Sequence, residues 1–219
     1  MVSANDVASV ILARSGSWMD AKSLQKLLYY VQAWHLAITD EPLFPERIKA
    51  WRDGPVVPQV WHARRDRATR LAAQQDVEGI RLDDMTSNLI DLVLASYGSM
   101  SGEELSALTH VERPWMEARG DLPDDADCLE PISLEAMAKY YRAHRKLGGR
   151  TAADLAAGGS HRRGARRSGP VDVDAILNSL GDEYLDPGED PWGGANLAPG
   201  DQYATDGIVH ECGRTYADS

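Results

Sequence analysis

The sequence lacks most of the features typical of secreted, membrane-bound or disulfide-rich proteins. Its two cysteines, Cys128 and Cys212, lie far apart and outside any CxxC spacing, which excludes a disulfide framework or zinc knuckle and fits a reducing compartment. No run of about 18 apolar residues could span a membrane, and the first ten residues lack the basic and apolar regions of a signal peptide. We therefore expect a soluble, cytoplasmic protein.

The sequence also lacks the motifs of common catalytic and metal sites. It contains no GxSxG elbow and no glycine-rich phosphate loop, and its histidines never show HExxH or HxH spacing. Asp53 with His62, or Asp53 with His110, could form an acid–base pair, but such pairs arise by coincidence in any protein of this size. His35 lies on the apolar face of a predicted helix, where we interpret it as a core histidine. We expect no enzyme activity, no metal site and no cofactor.

Negative charge exceeds positive charge, and the excess is larger toward the C-terminus. Residues 1–150 contain 18 Lys and Arg against 22 Asp and Glu, whereas residues 151–219 contain 5 against 12. The net charge of −11 repels a phosphate backbone, so nucleic-acid binding is disfavoured. The basic run HRRGARR at 161–167 has no interleaved aromatic residue, and we interpret it as a solvated linker.

Hydrophobic periodicity predicts a mainly α-helical, compact multi-helix domain with one small β or extended element. The most regular pattern has Asp20 as N-cap and places apolar residues at helical spacing from Leu24 to Ile38. Caps, first-turn prolines or apolar periodicity predict further helices that begin near Ser3, Pro58, Met85, Ser101, Pro114 and Ser133. Alternation at Ile48 and Ala50, ended by a Gly-Pro pair, predicts the extended element.

Glycines and charged runs predict where some of these helices end. Gly98 is expected to close the helix over 85–97 as its C′ residue, and Gly148 with Gly149 is expected to end the last helix. The arginine-rich run at 64–70 is expected to be an exposed helix end or loop.

Composition changes after residue 148 and predicts three regions. Residues 1–148 form the domain, residues 149–170 a flexible basic linker, and residues 171–219 a largely disordered acidic tail. Within the tail, residues 171–185 predict a short amphipathic helix whose apolar face contains Val173, Ile176, Leu177, Leu180 and Tyr184.

Several separated stretches of the domain together resemble one family. LQKLLYY at 24–30, AWRDGPV at 50–56, YG at 97–98 and LTHVERPW at 108–115 occur in the order found in the Panacea antitoxin-domain family, which includes SocA-like and phage-associated antitoxins. The resemblance covers roughly residues 3–146 and implies a mainly helical domain with a small β element.

The resemblance also implies a function and a partner. It implies the antitoxin half of a bacterial or phage toxin–antitoxin pair, in which the protein binds and blocks a cognate protein toxin. SocA-like members resemble adaptors that deliver a toxin to a ClpXP-type protease, and this is the alternative function. Partner toxins across the family are diverse, so the resemblance does not name the toxin.

Two surfaces are candidates for toxin binding. One is the domain face around the Gly-Pro turn and the Thr-His run, and the other is the segment 171–185, whose acidic residues could complement a basic toxin site. The candidate contact residues are Asp53, Gly54, Pro55, Val56, Thr109, His110, Ile176, Leu177, Leu180 and Tyr184. The alternative for the tail is a solubilising extension without a partner. Structural roles, mainly as core aromatics, are assigned to Trp34, Trp51, Trp61, Pro114 and Trp115.

Overall fold

The computed structural model describes residues 2–15, 19–73, 77–123 and 125–158. Within these ranges the chain forms nine α-helices and one two-stranded antiparallel sheet. In chain order the elements are α1 (Ala4–Ser15), α2 (Ala21–Thr39), β1 (Lys49–Trp51), β2 (Gly54–Val56), α3 (Pro58–Arg64), α4 (Arg67–Ala73), α5 (Asp84–Tyr97), α6 (Gly102–His110), α7 (Arg113–Arg119), α8 (Leu134–His144) and α9 (Ala152–Ala157). The predicted mainly α class with one small β element is confirmed. The predicted acidic tail and its amphipathic helix lie outside the described residues.

Helix α2 is the centre of the fold. Every residue from Ser23 to Ala37 is buried, so this part of the helix has no solvent-facing side. Helices α1, α3, α5, α6, α8 and α9 and strand β2 all pack against it. The apolar stripe predicted from the sequence is therefore only part of its buried surface. None of the helices described, α2 included, is long and apolar enough to cross a membrane.

Polar side chains of α2 are buried together with the apolar ones, and they bind the main chain of the loop that follows. Gln32 accepts a hydrogen bond from the Leu43 amide at 3.0 Å and donates to the Phe44 carbonyl at 3.0 Å. The Nδ1 atom of His35, which is buried as expected, lies 2.7 Å from the Glu41 carbonyl oxygen. A buried polar group without a partner costs about 1–3 kcal/mol, so these bonds fix the loop against α2.

A buried carboxylate joins α2 and α8 to the junction between α6 and α7. Glu112 is completely buried at this junction, and its Oε2 atom accepts hydrogen bonds from the Tyr29 and Tyr141 hydroxyls, each at 2.8 Å. Its Oε1 atom lies 3.3 Å from Nη2 of Arg145, just beyond the end of α8. One side chain thereby connects three parts of the core.

The charges of this cluster depend on one another. Burial raises the pKa of the Glu112 carboxyl, and the charge of Arg145 and the two hydroxyl donors oppose that shift. Burial also disfavours the charge of Arg145, but the attraction of Glu112 and of nearby tyrosines outweighs it and raises the pKa of the guanidinium. Because two hydroxyls and a guanidinium face the carboxyl group, we assign it as a carboxylate.

The predicted helix starts agree with the structure. Ser3 and Asp6 exchange bonds at the start of α1, with the Asp6 amide donating to Ser3 Oγ at 3.1 Å. Asp20 caps α2 by accepting from the Ser23 amide at 2.8 Å. Ser101 opens α6 with a full capping box. Such caps depend on residues three apart in sequence, which is why they can be predicted locally.

One predicted helix end is confirmed and another is wrong. Gly98 directly follows Tyr97, the last residue of α5, and caps the helix with a φ of −69°. Helix α8 ends at His144, four residues before Gly148. Gly148 and Gly149 instead form the turn of a small bridge between Leu147 and Arg150, with φ values of +55° and +78°.

Two short helices were not anticipated. Helix α4 occupies the arginine-rich segment, and the Arg70 side chain is buried, not exposed, because its Nη1 atom donates to the last carbonyls of α3 at Arg64 and Arg65. Helix α9 forms within the segment predicted as a flexible linker, where Thr151 and Asp154 make a capping box. Tertiary contacts with α2 and α8 support a helix too short to be stable alone.

The buried carboxylate gives a direct test of the fold. Glu112→Gln should lower the free energy of unfolding by about 3 kcal/mol or more, because it leaves the Arg145 charge buried without its counterion. Denaturant unfolding at neutral pH measures this change. The matched control is Glu117→Gln, whose ion pair with Arg113 is largely exposed and should be worth less than about 1 kcal/mol. Equal losses in the two variants would contradict a structural role for Glu112.

Candidate functional site

The β1–β2 hairpin places the predicted Gly-Pro turn against helices α2 and α6. Trp51 pairs with Gly54, so Arg52 and Asp53 form a two-residue turn. Gly54 has a φ of +96°, a backbone conformation that residues with a Cβ atom rarely adopt. The hairpin is therefore specified by its glycine as well as by strand pairing.

Side chains of α7 bind the outer strand of the hairpin. Trp115 Nε1 donates to the carbonyl of Trp51 at 3.1 Å. Arg119, which is buried, donates from Nη1 to the carbonyl of Ala50 at 3.3 Å and lies with its guanidinium carbon 4.9 Å from the Trp115 ring centre. These contacts fix β1 to the helix that carries the end of the LTHVERPW run.

Side chains of α2 and α6 bind the turn itself. Ser106 Oγ donates to the carbonyl of Asp53 at 2.8 Å. Lys26 Nζ donates to the carbonyl of Pro55 at 3.3 Å. Together with the α7 contacts, four carbonyls in a stretch of six residues accept bonds from side chains of three helices, so the turn is held in one conformation.

Gly54 is packed so closely against its neighbours that a side chain would not fit there. A Cβ atom on this residue would lie 2.7 Å from Lys26 Cε, 2.8 Å from Lys26 Nζ and 2.8 Å from Thr109 Oγ1. No carbon atom fits at such distances. The absence of a side chain at Gly54 is what allows α2, α6 and the hairpin to meet here.

Lys26 carries a buried amine that has both positively and negatively charged side chains near it. Only 1% of the residue is exposed, and burial, followed by the charge of Lys22, lowers its pKa to about 7. The carboxylates of Asp53, Glu103 and Asp20 act in the opposite direction but do not offset the burial. The amine is consequently close to half protonated at neutral pH, which is unusual for a lysine.

His110 lies beside this amine and stacks on Trp115. The two rings are 4.2 Å apart between centroids and nearly parallel, at 12°. Burial, followed by the charge of Lys26, lowers the pKa of His110 to about 4, so the ring is neutral at physiological pH. Within the ranges that the structure describes, no group of three or more His, Cys, Asp or Glu side chains is placed to hold a metal ion.

The structure separates the predicted contact residues into buried and accessible ones. Gly54, Pro55, Val56 and Thr109 are buried, so they support the turn and do not themselves present a contact surface. Asp53 and His110 are half-buried and lie close enough to interact electrostatically. We use the name turn surface for the half-buried residues around the turn, which are Trp51, Arg52, Asp53, Trp61 and His110. The predicted contact residues of the tail, Ile176, Leu177, Leu180 and Tyr184, lie outside the described residues.

The tryptophans assigned structural roles also divide into two groups. Trp34 is completely buried and Trp115 is 4% exposed, in agreement with a core role, and Pro114 is buried in the first turn of α7. Trp51 and Trp61 pack edge to face with ring centres 6.0 Å apart, but both keep part of their surface in solvent. The second pair thus contributes to the turn surface as well as to packing.

Sequence reasoning missed three residues that build the site. Lys26, Ser106 and Arg119 are polar residues inside helices, and all three are buried against the hairpin. The available signal was the position of Lys26 within LQKLLYY, where a charge is surrounded by apolar neighbours. Which carbonyl each side chain would reach could not be known before the helices were placed.

The segment that contains the motifs meeting at the hairpin also matches a family model. A family model described as antitoxin SocA-like, Panacea domain matches residues 24–116. The predicted resemblance is confirmed over this segment. The match begins in the first turn of α2 and ends in α7, which leaves α1, α8 and α9 outside it, although the resemblance was expected over residues 3–146. No curated protein and no solved structure matches the chain.

The segment matched by the family model does not include all the helices that pack on α2. The matched Panacea segment contains the hairpin, the turn surface and the side chains Lys26, Ser106 and Trp115 that bind it. Helices α1, α8 and α9 pack on α2 from outside the segment. The segment therefore contains the candidate site, and the flanking helices complete its core.

The closeness of Gly54 to its neighbours can be tested with a matched glycine. Gly54→Ala should lower the free energy of unfolding by at least about 3 kcal/mol, since it adds a steric clash to an unfavourable φ. Gly79 has a similar φ of +93° but nothing within 4 Å of its Cβ position. Gly79→Ala should therefore lower the free energy of unfolding only through the unfavourable φ, by about 1 kcal/mol. Equal costs, measured by denaturant unfolding, would show that the Lys26 and Thr109 contacts do not constrain Gly54.

Proposed function

We propose that this protein is a cytoplasmic antitoxin that neutralises a cognate protein toxin by direct, stoichiometric binding and without catalysis. The matched family is an antitoxin family, which implies a protein partner such as a toxin. The observation that carries the proposal is the convergence of the family motifs. LQKLLYY, AWRDGPV and LTHVERPW lie apart in sequence, yet their side chains bind one hairpin and present one surface.

The composition of the turn surface supports a protein contact. Trp51, Trp61 and Arg52 belong to the residue types that contribute most binding energy in protein interfaces. The carbonyl contacts hold the turn in a fixed conformation, so little conformational entropy would be lost when a partner binds. We therefore assign the toxin contact to the turn surface.

Two features support neutralisation by binding over chemical reversal of toxin action. The pKa of His110, about 4, keeps its ring neutral near pH 7, which makes it a poor proton donor or acceptor there. The neighbouring Lys26 amine is covered by the turn and cannot reach a substrate without movement of the hairpin. The proposed activity needs neither group to react.

Co-expression with the product of the adjacent reading frame tests the function. Growth should recover while the amount of toxin, followed by immunoblot, stays unchanged in hosts with and without the ClpXP-type protease. Toxin that disappears only when the protease is present would favour the adaptor alternative. With purified proteins, neutralisation should be complete near one antitoxin per toxin. Neutralisation far below that ratio would indicate catalysis, and an absence of rescue would contradict the proposal.

Charge reversal on the turn surface tests the assigned contact. Asp53→Lys should weaken toxin binding at least about tenfold, since it places a like or unpaired charge inside the interface. The Asp53 main-chain bond to Ser106 is unaffected by this change, and thermal unfolding would verify the fold. The control is Glu78→Lys, the same reversal on an exposed loop between α4 and α5. Equal affinities of the two variants would move the contact elsewhere.

The role of the tail can be separated from that of the domain. A chain truncated after residue 158 keeps every described helix and the whole turn surface. We expect it to rescue growth as fully as the complete chain, measured at matched expression levels. Loss of rescue on truncation would instead support the segment 171–185, with Ile176, Leu177, Leu180 and Tyr184, as a toxin-binding element.

A further inference from the structure

The bond from the buried Lys26 amine to Pro55 helps to hold the turn, but protonation of this amine has no role in the proposed binding function. Its side chain extends from the centre of α2 to the underside of the hairpin turn, where 1% of the residue is exposed. The carbonyl of Pro55, at 3.3 Å, is the acceptor that the turn provides. An ammonium group has three N–H donors, so this site suits a neutral amine better than a charged one.

The turn prevents the amine from reaching water. Cε and Nζ of Lys26 lie so close to Gly54 that even a Cβ atom on the glycine would collide with both. On the other side, Thr109 Oγ1 occupies the same junction and is itself fixed by donating to the Ser106 carbonyl at 2.9 Å. The amine can gain solvent only if the segment 53–55 moves away from α2.

Charged groups face the amine from each element around it. Lys22 belongs to α2 and Asp20 is its N-cap, Asp53 belongs to the turn, and Glu103 and His110 belong to α6. Asp20, Asp53 and Glu103 favour an ammonium, whereas Lys22 disfavours it, and Lys22 is itself paired with Glu103 at 2.7 Å. Three carboxylates nearby mean that an amine released from under the turn would be stabilised in its charged form.

We propose that opening of the segment 53–55 is coupled to proton uptake by Lys26, so that the turn opens less often as the pH rises above neutrality. The device goes beyond the proposed function, because the free chain shows it whether or not a toxin binds the turn surface. It would make the conformation of the turn surface sensitive to pH in the range where most proteins are insensitive.

Proton linkage determines whether the turn opens more often or less often as the pH rises. With the turn closed, the pKa of Lys26 is about 7, and with the turn open the exposed amine returns toward 10.5. Between these two values the open form binds one more proton than the closed form, so opening becomes about tenfold rarer for each unit of pH increase. Below about pH 7 both forms are protonated and the dependence disappears.

Hydrogen exchange of the free chain measures this opening. Amide protection at Asp53 and Gly54, corrected for intrinsic exchange chemistry, should rise about fifteenfold between about pH 7, where the closed form is still half protonated, and about pH 8.5. Lys26→Met keeps the length and apolar stem of the side chain and should abolish the dependence. Lys22→Met, on the same helix, should retain it. Protection that is flat with pH in the wild type, or still rising in Lys26→Met, would overturn the proposal.

A second readout needs no variant. The Cε resonance of Lys26 in the wild-type chain should titrate with a midpoint near 7, well separated from the exposed lysines. A midpoint near the ordinary lysine value would overturn the proposal even if Lys26→Met failed to fold. Failure of toxin binding in co-expression would leave both measurements unchanged, so the two hypotheses can fail independently.

Discussion

The complete burial of α2 from Ser23 to Ala37 is the constraint on which the rest of the structure depends. A polar group buried without a partner costs about 1–3 kcal/mol, so hydrogen-bond partners for its polar side chains stabilise a helix that is surrounded on all sides. Gln25, Gln32 and Lys26 find theirs on the main chain of the segment between residues 43 and 57. The irregular part of the chain is therefore shaped by the polar side chains of its most buried helix.

The same constraint connects the core to the candidate site. On one side of α2, Tyr29 donates to the buried Glu112, which lies at the junction of α6 and α7. About one turn earlier on the same face, Lys26 lies beneath the turn that α6 and α7 also bind. Because α6 and α7 are fixed at Glu112, their side chains Ser106 and Trp115 reach the hairpin carbonyls in defined positions. A surface for a protein partner can be rigid here without a large sheet beneath it.

Local sequence signals predicted the starts of helices well and the site only in outline. Caps such as those of Asp20 and Ser101 act within one turn, so three or four residues contain the whole signal. The structure places Gly54 of the GPV motif directly beside Thr109 of the Thr-His run. Burial was not predictable, because the same turn could have projected into solvent. Four residues expected to form the contact surface are consequently buried and support it from below. They are Gly54, Pro55, Val56 and Thr109.

The sequence by itself determined the mainly helical class, the central helix, the short hairpin and the similarity of residues 24–116 to an antitoxin SocA-like, Panacea domain. These follow from periodicity, capping and residue order, which act over short distances. Only the tertiary structure decided that Arg70 is buried, that α9 forms at 152–157 and that Lys26 lies beneath the turn. Each of these involves a partner more than ten residues away, which for Arg70 is the Met19 carbonyl at 3.0 Å, and such partners are set by how helices pack.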